Sequence, residues 1–178
     1  MPRIAVLGCG RIGHMHAENI AAHPRAELAG VLDVVASAAD EVAGRLAVRN
    51  FPSAEAIFAA KDVDAVLIAT STPTHADLLE QAVAAGKPTL CEKPIDLSIA
   101  RVEACARKIA GTSVPIMLGF VRRFDPGHRA VREAALDVAS SYGLNERRIA
   151  GAGLRWCHDA IRVIARRRCS RNRWRSLI

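Results

Sequence analysis

A chain of 178 residues with 51% hydrophobic content is long enough for one complete domain and part of another. It holds no run of about 18 uncharged apolar residues, which excludes a membrane-spanning helix, and its start reads as a strand rather than a signal-peptide layout. The formal charge of +7 is not evenly spread: residues 143–178 hold ten Arg, no Lys and only Glu146 and Asp159, so any nucleic-acid or membrane-surface argument rests on that tail alone.

The chain begins with a buried-strand pattern, Arg3 to Leu7, that runs into Gly8-x-Gly10-x-x-Gly13. A helix pattern opens around Ile12. A second apolar run, Leu28 to Leu32, ends at Asp33, twenty residues after Gly13. In that context each glycine has a task. Gly8 permits the tight turn, Gly10 lets a pyrophosphate approach the backbone, and Gly13 lets helix and strand pack closely. The pyrophosphate is expected on the unpaired N–H groups of the helix start, so Gly8, Gly10, Arg11, Ile12 and Gly13 are candidate cofactor-binding residues. Asp33 accepts hydrogen bonds from a ribose 2′-hydroxyl and repels a 2′-phosphate, which favours NAD over NADP.

An Ala-rich helix follows from Ala36 to Leu46, then a short segment from Val48 to Phe51 and a helix from Ala54 to Ala60. Asp64 to Ala69 is an apolar strand of the kind buried on both faces of a parallel sheet. The turn Thr70 to His75 leads into a helix that stops at Gly86, with Thr74 and Asp77 resembling a capping box. Lys87 to Cys91 is a strand. Ile99, Val102, Ala106 and Ile109 share one helical face, closed by Gly111, and Val114 to Leu118 is a further strand. Strand and helix alternate throughout, which predicts an α/β fold: a Rossmann-type doubly wound parallel sheet over residues 1–120. Residues 121–140 begin a second domain with a helix from Asp125 to Val138, Pro126 in its first turn. An apolar face there without a partner favours oligomer contacts or aggregation. Residues 141–178 form an irregular basic C-terminal tail. The five cysteines, Cys9, Cys91, Cys105, Cys157 and Cys169, contain no Cys-x-x-Cys pair and read as reduced thiols of a cytoplasmic protein. Cys157, His158 and Cys169 lack the paired spacing of a metal site, so no metal is expected.

In open α/β sheets ligands bind at the carboxyl ends of the strands. Three such ends are polar or glycine-rich: Gly8 to Gly13, Thr70 to His75, and Glu92-Lys93-Pro94. A lysine held in that crevice can lose solvent, which favours its neutral, proton-accepting form. Lys93 then takes or steers a hydroxyl proton while hydride leaves the same carbon for nicotinamide. The alternative is a solvated lysine in a turn. The Gly8 to Gly13 turn, Ala69 to His75, Glu92-Lys93-Pro94 and Gly119-Phe-Val-Arg-Arg-Phe-Asp-Pro126 together resemble the glucose–fructose oxidoreductase/inositol dehydrogenase family (Gfo/Idh/MocA). Their order and spacing, with Asp33, look closest to its inositol 2-dehydrogenase branch. The resemblance covers about residues 3–136. It implies an NAD-binding Rossmann domain followed by a substrate domain on an open antiparallel sheet, oxidising a polyol or sugar ring hydroxyl. It implies that Lys93 is catalytic, and that Thr70, Ser71, Thr72, His75 and Glu92 lie on the cofactor side. Arg122 or Arg123 is expected to face nicotinamide and substrate.

The family's second domain supplies an Asp-x-x-x-His pair that completes the catalytic set. No such pair occurs in this sequence, and the pattern dissolves after about Ala135. The chain therefore reads as truncated, with turnover impaired and cofactor binding retained, or as an NAD-binding fragment without catalysis. Three origins fit the tail. It is the product of a shifted reading frame, a basic helix from Leu154 to Arg167 that binds nucleic acid or acidic lipid, or a helix covering a sheet edge.

Overall fold

The computed structural model describes residues 1–141 of the chain. They fall into two units, Met1–Gly119 and residues 120–141. The first contains six strands: β1 (Arg3–Leu7), β2 (Glu27–Leu32), β3 (Arg49–Asn50), β4 (Ala65–Ile68), β5 (Thr89–Cys91) and β6 (Ile116–Leu118). All neighbouring pairs are parallel, in the order β3-β2-β1-β4-β5-β6. Five helices connect them: α1 (Arg11–Ala22), α2 (Ala36–Leu46), α3 (Ala54–Ala59), α4 (Thr72–Ala84) and α5 (Ile99–Lys108). The doubly wound α/β expectation is met, with element positions close to those read from the sequence.

Strand alternation decides which helices cover which face. Val6, Val31 and Leu67 pack with Ala17 and Ile20 of α1 and Val42 of α2. Ala5, Leu7 and Val66 pack instead with Ile57 and Phe58 of α3. Ile68 and Cys91 join Leu79 of α4 and Cys105 of α5. Both faces thus carry apolar side chains, the reason the strands read as continuous apolar runs. Chain order reverses at β1, which pairs with β2 on one side and β4 on the other. Ligand crevices form outside the carboxyl ends of the strands at such a switch point.

Helix boundaries follow local chemistry. Ser53 Oγ accepts the Ala56 N–H at 3.2 Å and caps α3. Ala47, at φ 54°, ends α2 in the left-handed region with its N–H on Ala43 O. The capping box expected from Thr74 and Asp77 does not form. Ser71 is the N-cap of α4, and Thr74 Oγ1 donates to Ser71 O at 2.8 Å. Asp77 is instead taken by Arg101 of α5, which also donates to Glu80 at 2.6 Å. Lys108 adds a bond to Glu80 at 2.7 Å, so α4 and α5 are joined by charge as well as by the core. Burial pushes the Glu80 carboxyl up, but the bonds and charges of Arg101 and Lys108 outweigh it and hold it below the usual carboxylate value.

In the second unit a 3₁₀ turn, Val121–Arg123, precedes α6 (Pro126–Ser141). Pro126 opens the helix, where a missing N–H costs nothing. Asp125 Oδ1 accepts the His128 N–H at 2.9 Å. That backbone bond, with the His128 side chain, holds the Asp125 carboxyl below its ordinary value. The basic tail, with Cys157, His158, Cys169 and the segment from Leu154 to Arg167, lies outside the described residues.

Candidate functional site

The parallel ladder continues one residue beyond the strands and gathers the polar turns along one edge. Gly8 N–H donates to Leu32 O at 2.7 Å, Ala69 N–H to Leu7 O at 2.8 Å, Glu92 N–H to Ile68 O at 2.9 Å and Gly119 N–H to Cys91 O at 2.8 Å. The glycine turn, the Thr70 turn and Glu92-Lys93 are thereby brought to the carboxyl edge in adjacent positions.

Within the glycine turn the three positions do different work. Gly8 has φ +98°, and a Cβ there would lie 2.5 Å from Ala69 O. A Cβ on Gly13 would lie 1.8 Å from Gly8 O, so α1 can approach β1 only without a side chain. At Gly10 a Cβ would meet nothing within 4 Å, so the backbone is open to a ligand. Gly10 is the N-cap of α1 and brings no side-chain cap. The first intrahelical bond runs from His14 N–H to Gly10 O at 2.8 Å, which leaves the N–H groups of Arg11, Ile12 and Gly13 without an acceptor in the helix. Arg11 and Ile12 are exposed. Asp33 sits beside this turn: its Oδ2 accepts the Cys9 N–H at 2.6 Å and its Oδ1 the Val35 N–H at 2.8 Å. Each carboxylate oxygen keeps a further lone pair for a ribose hydroxyl. The same arrangement silences Cys9: burial, then the Asp33 charge, pushes its thiol up to about 11. These residues fit a bound dinucleotide, with room for phosphate at Gly10, free N–H donors and a carboxylate acceptor in place.

The Thr70 turn is tied internally. Thr74 gives its proton to Ser71 O, so Thr70 Oγ1 donates to Thr74 Oγ1 at 2.7 Å. Ser71 is exposed, and Thr70 and Thr72 are partly so. His75, expected on the cofactor side, is 2% exposed. Its ring nitrogens lie 2.8 Å from Pro94 O and 2.9 Å from Thr70 O, two carbonyls of which a neutral ring bonds one. Glu92 is also drawn inward: Oε1 lies 3.0 Å from His16 Nε2, and Oε2 accepts the Lys93 N–H at 3.2 Å. Lys93 itself is exposed, so the expected loss of solvent does not occur within the described residues. Its peptide bond to Pro94 is cis. Arg122, in the second unit, is exposed and lies 3.9 Å from Asp125. No spacing rule in the sequence connects His16 to Glu92, its partner 76 positions away. Among the described residues no cluster fit to hold a metal occurs, and no helix is long and apolar enough to cross a membrane.

A parallel α/β sheet with a glycine turn, an uncapped helix start and a carboxylate after the second strand defines a dinucleotide-binding domain. Residues 2–120 match the Gfo/Idh/MocA oxidoreductase family, NAD-binding Rossmann fold, and the chain belongs to that family. NAD is accordingly the cofactor of this domain. The inositol 2-dehydrogenase of Rhizobium meliloti (strain 1021) is 46% identical over 135 residues, 76% of this chain and 41% of the relative. A myo-inositol dehydrogenase from Corynebacterium glutamicum superimposes with a TM-score of 0.71 at 44% identity, covering 77% of this chain and 41% of that one. The scyllo-inositol dehydrogenase from Lactobacillus casei, solved with NAD(H) and scyllo-inositol, gives 0.72 at 33% identity over 79% of this chain and 42% of that one. The chain thus spans about two-fifths of the length of these relatives.

Proposed function

We propose that this domain serves an NAD-dependent dehydrogenase acting on a polyol or sugar ring hydroxyl of the inositol class. The observation that carries the reading is the shared carboxyl edge, where the glycine turn, Asp33, the Thr70 turn and Lys93 are neighbours. The α1 N-terminus at Gly10 is the pyrophosphate seat, Asp33 takes the adenosine ribose hydroxyl, and Thr70, Ser71 and Thr72 lie against the cofactor. Bound NAD supplies the carbon that accepts hydride. Lys93 receives or steers the hydroxyl proton of the substrate, its exposed amine being free to reach a ligand on this edge. The relatives' names support the substrate class.

A second reading has its own observation. The residues matched make up about two-fifths of each relative, and under this reading they bind NAD without turning over a substrate. Titration of the purified chain with NADH, followed by nicotinamide fluorescence, tests the cofactor site. Saturable binding is expected, weakened at least tenfold in Asp33→Ala, the size of losing one hydrogen bond to a charged group. Equal affinity in both proteins overturns the assignment of Asp33. Turnover that depends on added inositol separates the dehydrogenase reading from the binding-only reading.

A further inference from the structure

Lys93 carries a long flexible stem, and its side chain is exposed. Its reach is therefore set by where the backbone is held. The two residues that flank it are each gripped by a histidine, and the two histidines stand on helices covering opposite faces of the sheet.

On the α1 face, His16 Nε2 lies 3.0 Å from Glu92 Oε1, and both side chains are largely withdrawn from solvent, at 19% and 12% exposure. The other Glu92 oxygen accepts the Lys93 N–H. The carboxylate fills the space that Gly119 leaves after β6: a Cβ there would lie 2.9 Å from Cδ and from both oxygens. On the α4 face, the His75 ring stands between two backbone acceptors, Pro94 O and Thr70 O, and a neutral ring donates its one N–H to one of them. One imidazole therefore ties the Lys93 loop to α1, and the other is buried between Pro94 of that loop and the Thr70 turn.

We propose that His16 and His75 are positioning residues that hold the Lys93 backbone from its two neighbours. The grip is a property of the domain; its consequence for catalysis rests on the role given to Lys93 above. A misplacement of about 1 Å at a reacting group costs on the order of 100-fold in rate, so a hold on the loop that carries Lys93 bears on rate as well as on packing. Because His16 sits on α1, the same helix that offers its N-terminus to the pyrophosphate sets the place of Lys93.

The test uses the full chain labelled with ¹⁵N, without added cofactor. His16→Ala is expected to displace the amide resonances of Lys93 and Gly119 and to speed exchange of the Lys93 amide about tenfold, the scale of one hydrogen bond. Resonances of Glu27–Leu32, on the far side of β1, stay in place. His16→Gln restores the wild-type positions, since its amide N–H has the reach of Nε2. On the other face, His75→Ala displaces Thr70 and Ile95. A folded His16→Ala whose Lys93 and Gly119 amides do not move overturns the proposal. If His16→Ala does not fold, Glu92→Gln decides: the His16 ring resonances shift if the pair exists, and their constancy overturns it. Should NADH fail to bind the wild-type chain while these shifts appear, the cofactor reading fails and the grip stands.

Discussion

At the scale of single residues, the glycine turn divides its labour in a way that substitutions can separate. Gly13→Ala forces a Cβ to 1.8 Å from Gly8 O and 2.7 Å from Gly8 C, where the neighbour is backbone and cannot turn aside. Forced overpacking of this kind costs about 3 kcal/mol. Urea unfolding of Gly13→Ala is expected to show a clearly lowered midpoint, with NADH affinity falling alongside it. Gly10→Ala is expected to behave differently. Gly10 has φ −66°, an angle alanine adopts freely, and its Cβ meets nothing within 4 Å. Its unfolding midpoint stays near wild type while NADH titration shows weakened binding, because the methyl group occupies the side from which phosphate approaches. Equal stability losses in the two variants would contradict this division.

The elements depend on local signals of unequal clarity. Ser53 caps α3, and Ser53→Ala is expected to cost about 1 kcal/mol, read from the denaturant midpoint at unchanged slope. The start of α4 shows where a local reading fails. Thr74 and Asp77 have the spacing of a cap, but Asp77 is bound by Arg101, 24 positions further on. The helix already begins at Thr72 with Ser71 as its N-cap, so Thr74 lies inside the first turn, and nothing in the spacing of Thr74 and Asp77 shows that earlier start. Glu92 and His75 follow the same logic. The family resemblance implies that both lie on the cofactor side; the structure sets Glu92 against His16 and buries the His75 ring between Pro94 O and Thr70 O.

Across the whole first unit, charge pairs fix how stability responds to acid. The Glu80 carboxyl is held below its ordinary value near 4.5 by Arg101 and Lys108, against the upward push of burial. A group depressed in the folded state adds stability above its unfolded value and loses that contribution as pH falls through the folded value. Thermal stability is therefore expected to fall below about pH 4.5, and Arg101→Met is expected to flatten that acid-side decline by removing the largest of the lowering partners. An unchanged slope in Arg101→Met would remove Glu80 from the account.

The sequence by itself determined the α/β alternation, the glycine turn, Asp33 and the position of Lys93 at a strand end. These are local features: apolar runs of strand length, residues with special backbone freedom, and fixed spacings along one chain. Tertiary structure alone decided the strand order, which glycine packs and which stays open, and the partners that hold Glu92 and His75. It also decided the tie between His16 and Glu92 across 76 positions. The physical reason is that a hydrogen bond or a close approach depends on distance in space, and strand order is what converts positions far apart in the chain into neighbours 3 Å apart.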